Sequence, residues 1–153
     1  MIAARRTGVV VEARTISSAR RAEKTLLEPP ISNIGVKGMR KASKLIPRWP
    51  DSMDAEALRW TLFNAYIFIS PVGGTFRYMF SRFLREAAGI TGEGRLEESA
   101  DEFWRIGDAW EALGEWFRQT SEAPDPACLL GECVGPLKAL ADREEAAWGR
   151  LRG

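Results

Sequence analysis

The polar residues that are best placed to form a binding site lie around a short glycine sequence. Gly73-Gly74-Thr75 precedes a segment that carries Arg77 and Tyr78, and the apolar segment before it carries Asn64 and Tyr66. If the glycines form a turn, these four side chains come within a few helical turns of one corner. An apolar wall with a few polar groups and a helix N-terminus is typical of a small-ligand pocket. We predict that any ligand site lies here; the alternative is that the polar groups satisfy one another inside the protein.

The chain contains no histidine. This absence excludes Ser–His and Cys–His nucleophilic pairs, histidine-based zinc sites and the usual proton shuttle at neutral pH. The acidic residues Glu97, Glu98, Asp101 and Glu102 are spaced as on one helix, and we interpret them as a solvated helix N-terminus rather than a metal site. The sequence therefore predicts no catalytic residue, no metal and no cofactor, and a chain that is not an enzyme on its own.

The spacing of the apolar residues predicts an all-α protein, an irregular bundle of five to six helices. We expect residues 1–15 to be extended or disordered, with Val9–Val11 as the one strand-like run, and residues 16–153 to form one helical bundle domain. Proline should kink or divide the last helix at Pro136. The predicted helices span residues 17–28, 36–46, 55–69, 76–90, 96–121 and 127–151.

The fifth predicted helix has the most regular apolar seam, at steps of four and three residues. Gly107 and Gly114 lie on this seam, where glycine costs helix propensity. We therefore predict that both glycines permit a close approach by neighbouring bulky side chains. The seam also brings three tryptophans, Trp104, Trp110 and Trp116, to the core or to an oligomer interface.

Charge is distributed unevenly along the chain. Residues 1–50 carry 11 basic and 3 acidic residues, whereas residues 91–153 carry 7 basic and 14 acidic residues. Such asymmetry can mark a nucleic-acid-binding arm, but the basic half lacks interleaved aromatic residues and any groove-reading motif. We expect instead that the two regions face each other, within a monomer or across a dimer, and that nucleic acid is not a partner.

The longest apolar stretch, residues 60–72, is interrupted by Asn64, Ser70 and Pro71 and is too short to cross a bilayer. The first residues lack the apolar region of a secretory signal, so we predict a cytoplasmic protein without a membrane partner. Cys128 and Cys133 are five residues apart, which suits neither a local disulfide nor a metal knuckle.

Several motifs resemble the C-terminal helical region of proteins similar to butirosin biosynthesis protein H. They are the run PPISNIGVKGMRK at residues 29–41, Trp49-Pro50, Leu58-Arg59-Trp60 and GGTFRYMFSRFL at residues 73–84. The most specific piece is Gly-Gly-x-Phe-Arg-x-Met at residues 73–79, and the resemblance covers roughly residues 15 to 150.

In that family this region follows a domain similar to a papain-like cysteine peptidase, and the butirosin protein transfers an acyl group from a carrier protein to an aminoglycoside. The family's catalytic cysteine and histidine lie in that N-terminal domain, which we expect this chain to lack, so the resemblance assigns no catalytic residue here. It implies a helical companion domain that packs on a catalytic partner or shapes a substrate pocket.

Two functions follow as hypotheses. The first is a non-catalytic interaction or accessory domain that forms a homo-oligomer or docks to a partner protein. The alternative is a substrate-binding part of an acyltransferase or cysteine-peptidase-like assembly, with a small-molecule ligand.

Overall fold

The computed structural model describes residues 17–151, and within that range it contains six α-helices and no strand. This confirms the predicted all-α class and the number of helices; residues 1–15, with the strand-like run, lie outside the described residues. The helices are α1 (residues 17–27), α2 (Gly35–Leu45), α3 (Ala55–Phe68), α4 (Thr75–Thr91), α5 (Gly94–Glu122) and α6 (Val134–Arg150). Two 3₁₀ helices, Ile46–Asp51 and Ala127–Cys133, and a π-helix, Ile69–Gly74, lie between them.

Local sequence signals account for several helix ends. The Asp54 carboxylate accepts a hydrogen bond of 2.8 Å from the Ala57 N–H and so caps α3. Gly92 ends α4 in the left-handed conformation, at φ 73°, which an L side chain rarely adopts. The last predicted helix is divided at Cys133, and Pro136 lies in the first turn of α6, where its missing N–H costs no hydrogen bond.

The predicted turn at Gly73-Gly74 is wrong. Residues Ile69–Gly74 form a π-helix that joins α3 to α4, and the backbone stays helical through Phe68, Ile69, Gly74 and Thr75. The wider π turn accommodates Pro71, which has no N–H to donate. As a result residues 55–91 form one continuous helical rod, about 55 Å long at the α-helical rise, and the expected corner between two helices does not exist.

Helix α5 runs antiparallel to this rod after a two-residue connection, and glycines set the distance between them. A Cβ added to Gly107 would lie 2.6 Å from the Tyr78 ring, and one added to Gly73 would lie 2.9 Å from the Trp110 ring. A Cβ on Gly114 would lie 3.1 Å from Ser70. The predicted approach of a bulky side chain is therefore confirmed at Gly107, where the neighbour is Tyr78, whereas at Gly114 the close neighbour is the small Ser70.

Arg59 secures the far end of this pair of helices. Its guanidinium donates to the carbonyls of Ser121, Ala123 and Pro124, at 3.0, 2.6 and 2.8 Å. Ser121 lies in the last turn of α5 and Ala123 and Pro124 directly follow the helix, where carbonyls have no partner within it. Arg59 thus replaces a C-terminal cap and fixes the register of α3 on α5.

Helices α2 and α6 pack on each other, and an ion-pair cluster joins them. Arg40 on α2 donates to Asp142 at 2.7 Å and to Glu145 at 2.7 Å, both on α6. The hydrogen bond from Arg40 to Glu145 holds the pKa of Glu145 below its usual value. The basic and acidic regions of the sequence therefore meet within one chain at this contact.

Candidate functional site

A buried carboxylate lies at the centre of the bundle. Glu144 on α6 is only 1% exposed, yet it accepts three hydrogen bonds. Arg77 Nε and Trp110 Nε1 donate to one oxygen, at 2.8 and 2.7 Å, and Trp148 Nε1 donates to the other at 2.6 Å. Three donors from α4, α5 and α6 thus compensate the loss of hydration that burial of a charge requires.

Arg77 connects this carboxylate to the surface. Its side chain is 15% exposed, and its Cζ lies 5.8 Å from the centroid of the Trp110 ring. The guanidinium uses Nε for Glu144, whereas Nη1 and Nη2 donate to no acceptor among residues 17–151. Since every fully buried side-chain nitrogen or oxygen in that range has a partner, both Nη groups are reached by solvent.

A cleft of about 410 Å³ opens beside Arg77. One wall comes from α1 and α2, and the other from the rod at the π-helix, while residues of α5 and α6 form the floor. Apart from Arg77 and Asn33 its lining is apolar or glycine: Leu26, Gly35, Gly38, Met39, Ala42, Ile46, Phe68, Ile69, Val72, Gly73, Trp110, Leu113, Phe117 and Leu137. The volume falls within the range of small-ligand pockets.

The rod also presents an unusual number of large apolar side chains to solvent. Seven such residues between positions 60 and 79 are 37% to 67% exposed. We call this surface the apolar face: Trp60, Phe63, Ile67, Phe68, Val72, Phe76 and Met79. Exposed apolar surface concentrated on one element is typical of an interaction site.

The structure separates the four residues predicted as a ligand site. Arg77 lines the cleft, but Asn64, Tyr66 and Tyr78 are not among its lining residues. The Asn64 amide donates to the Trp60 carbonyl of its own helix at 2.7 Å, and Tyr66 contacts Phe63, with ring centroids 6.1 Å apart.

Tyr78 faces α5. Its hydroxyl donates to Asp108 at 2.7 Å, and its ring lies 4.7 Å from that of Trp104. Burial and the nearby carboxylate both raise the pKa of Tyr78 above its usual value. The four residues that were predicted to share one corner thus lie in separate environments along one rod.

Neither thiol is set up as a nucleophile. Burial raises the pKa of Cys133, and the hydrogen bond to Asp125, 2.9 Å long, raises the pKa of Cys128. A raised pKa lowers the fraction of reactive thiolate. Within residues 17–151, no three metal-ligating side chains come together, and no helix is long and apolar enough to cross a bilayer.

Sequence reasoning missed Glu144, although the sequence holds a signal for it. The apolar seam of the last helix runs through Leu137, Ala141 and Trp148, and Glu144 occupies the seam position between the last two. A carboxylate at a core-facing position needs a donor. Arg77, on another helix, was the least predictable part of that pairing.

Comparison with known proteins identifies the family of this chain and no individual relative. A family model described as a domain of unknown function (DUF4872) matches residues 2–151, which is nearly the whole sequence. The chain therefore belongs to this family. No curated protein and no solved structure gives a significant match.

Proposed function

We propose that this DUF4872 domain is a non-catalytic interaction domain that self-associates through its apolar face. The observation that carries the proposal is the exposure of seven large apolar side chains along the rod. Burial of such side chains against a second copy removes apolar surface from water, which is the main driving force of protein association.

The apolar face has about the area that a stable dimer needs. If each large side chain offers about 200 Å² when fully exposed, the exposed fractions correspond to roughly 700 Å². A standard protein interface buries about 800 Å² on each partner. The face is thus large enough to be one half of a dimer interface.

The arrangement of residues along the face favours a second copy as the occupant. In an antiparallel pair centred between residues 69 and 70, Trp60 of one copy lies opposite Met79 of the other. The same pairing places Glu56, at one end of the rod, within one residue of the position opposite Arg82, at the other end. Both of these residues are exposed, and neither forms an ion pair among the described residues. A two-fold dimer therefore gains two complementary charge pairs.

A charge-swap series tests this pairing. We expect Glu56→Lys and Arg82→Glu each to weaken the dimer by about three- to tenfold, because each places like charges opposite each other. The double variant should restore the wild-type affinity. Light scattering over a concentration series measures the mass, and Glu98→Lys, an exposed charge reversal on α5, is the matched control.

Two results contradict the proposal. One is a chain that stays monomeric at the highest concentration measured. The other is a double variant that dimerises no better than either single variant, because that outcome shows that Glu56 and Arg82 do not face each other in the dimer.

The cleft supports a second candidate function, an accessory or substrate-binding role in an acyltransferase or cysteine-peptidase-like assembly. The resemblance to the butirosin protein H family supplies the class of partner, and the chain itself contains no histidine. The test is to titrate the purified chain into a cysteine-peptidase-like chain encoded by a neighbouring gene. We expect the partner's kcat/KM to rise to saturation; an unchanged kcat/KM would count against this role.

A further inference from the structure

We infer that the cleft beside Arg77 binds a small amphiphile with one carboxylate and an apolar tail. This inference goes beyond the proposed self-association: it rests on Arg77 and the floor of the cleft, and the cleft shares only Phe68 and Val72 with the apolar face. It combines two observations: an apolar cleft of ligand size, and a guanidinium at its wall with two unused donor groups.

Arg77 is held in place by contacts on the protein side. Glu144 is not a lining residue of the cleft, and it fixes Nε from the interior at 2.8 Å. The Trp110 ring, which does line the cleft, lies 5.8 Å from the Arg77 Cζ. Because these contacts already order the Arg77 side chain, ligand binding costs little side-chain conformational entropy.

The remaining donors favour a carboxylate. Nη1 and Nη2 form a planar pair that matches the two oxygens of a carboxylate, and a partly desolvated site strengthens such a contact. Glu144 already neutralises the single positive charge of Arg77, so a further cation helps to hold an anion. Lys41 does not line the cleft, but its Nζ donates at 2.7 Å to Asn33, which does, and it pairs with no carboxylate among residues 17–151.

The rest of the lining favours an aliphatic tail. Leu113, Phe117 and Leu137 on the floor are at most 5% exposed and have no polar group to offer. Met39 on the α2 wall adds a flexible side chain that adapts to irregular apolar shapes. A ligand with polar groups along its length would leave them unpaired against these residues.

Isothermal titration with decanoate, below its micelle-forming concentration, tests the inference. We expect decanoate to bind at least tenfold tighter than 1-decanol or decyltrimethylammonium, which share the tail but not the anion. Arg77→Lys keeps a cation beside Glu144 but removes the planar donor pair, and it should weaken decanoate about tenfold without changing decanol. Arg85→Ala, which removes a half-exposed arginine of the same helix, should change neither.

A second variant tests the cleft without altering Arg77. Ala42→Trp places a large side chain in the cleft and should abolish binding of decanoate and decanol, whereas Ala146→Trp, at an exposed alanine of α6, should not. The dimer variant Glu56→Lys should bind decanoate like the wild type, which separates this test from that of self-association.

Three results would overturn the inference. They are equal affinity for decanoate and decanol, unchanged decanoate binding by Ala42→Trp, and binding of an apolar tetrapeptide with a free C-terminal carboxylate where decanoate does not bind. The last result would assign the cleft to a segment of a partner protein.

Discussion

Replacing Glu144 with glutamine should destabilise the protein far more than the loss of one charge at the surface. The carboxylate is 1% exposed and accepts from Arg77, Trp110 and Trp148 through its two oxygens. Glutamine has a single acceptor oxygen, and its amide NH₂ must face at least one of these N–H donors. Either Trp148 or the pair Arg77 and Trp110 therefore loses its acceptor.

The expected cost follows from burial. Removal of one partner of a buried ion pair typically costs about 3–5 kcal/mol. Each buried donor left unsatisfied accounts for about 1–3 kcal/mol of this cost. We therefore expect Glu144→Gln to lower the free energy of unfolding by about 3–5 kcal/mol. For a chain of this length that corresponds to a fall in Tm of about 10 °C.

Urea denaturation followed by circular dichroism at 222 nm measures this change without relying on the fluorescence of the two tryptophans involved. The control is Glu145→Gln, at the next residue, where the carboxylate pairs with Arg40 but is half exposed. That variant should cost about 1 kcal/mol or less. A Glu144→Gln protein as stable as Glu145→Gln would refute the reasoning, because it would show that the central carboxylate is not needed by its three donors.

Two further predictions concern the contact between α4 and α5. The pKa of Tyr78 is raised in the folded state, so the stability of the wild type should fall as the pH rises above about 10, the pKa of an unperturbed tyrosine. Urea titrations at successive pH values should show a smaller fall for Tyr78→Phe. Identical pH profiles of the two proteins would contradict this prediction. Gly107→Ala should destabilise by about 1–2 kcal/mol, since its Cβ would lie 2.6 Å from the Tyr78 ring and the gain in helix propensity offsets only part of the strain. Gly89→Ala, whose Cβ meets no atom within 4 Å, should be neutral or stabilising in the same thermal melts, so equal destabilisation of both variants would contradict the packing argument.

The helices were predictable because each is encoded by local signals. Asp54 supplies a cap, Gly92 a stop, and the seam through Gly107 and Gly114 a close contact, and the structure agrees with all three. Helix boundaries within the described residues consequently fall within two residues of the predicted positions, except that α6 begins at Val134 and not at residue 127.

The π-helix was not predictable because tertiary packing overrides the local sequence there. Ser70-Pro71-Val72-Gly73-Gly74 has the composition of a turn. In the structure the same small residues let α5 approach the rod at Trp110 and Gly114, and that packing keeps the backbone helical. The cleft was missed for the same reason, since it depends on tertiary packing: α2 packs on α6 and forms the wall that faces the rod.

The central claim, self-association through the apolar face, is tested most directly by sedimentation velocity over a range of concentrations. We predict that the wild type shifts from one to two chain masses as concentration rises through the micromolar range. Trp60→Ser, at one of the two most exposed members of the face, should remain a monomer with an unchanged far-ultraviolet spectrum. A wild type that sediments as a monomer throughout, or a Trp60→Ser variant that dimerises as the wild type does, would contradict the claim.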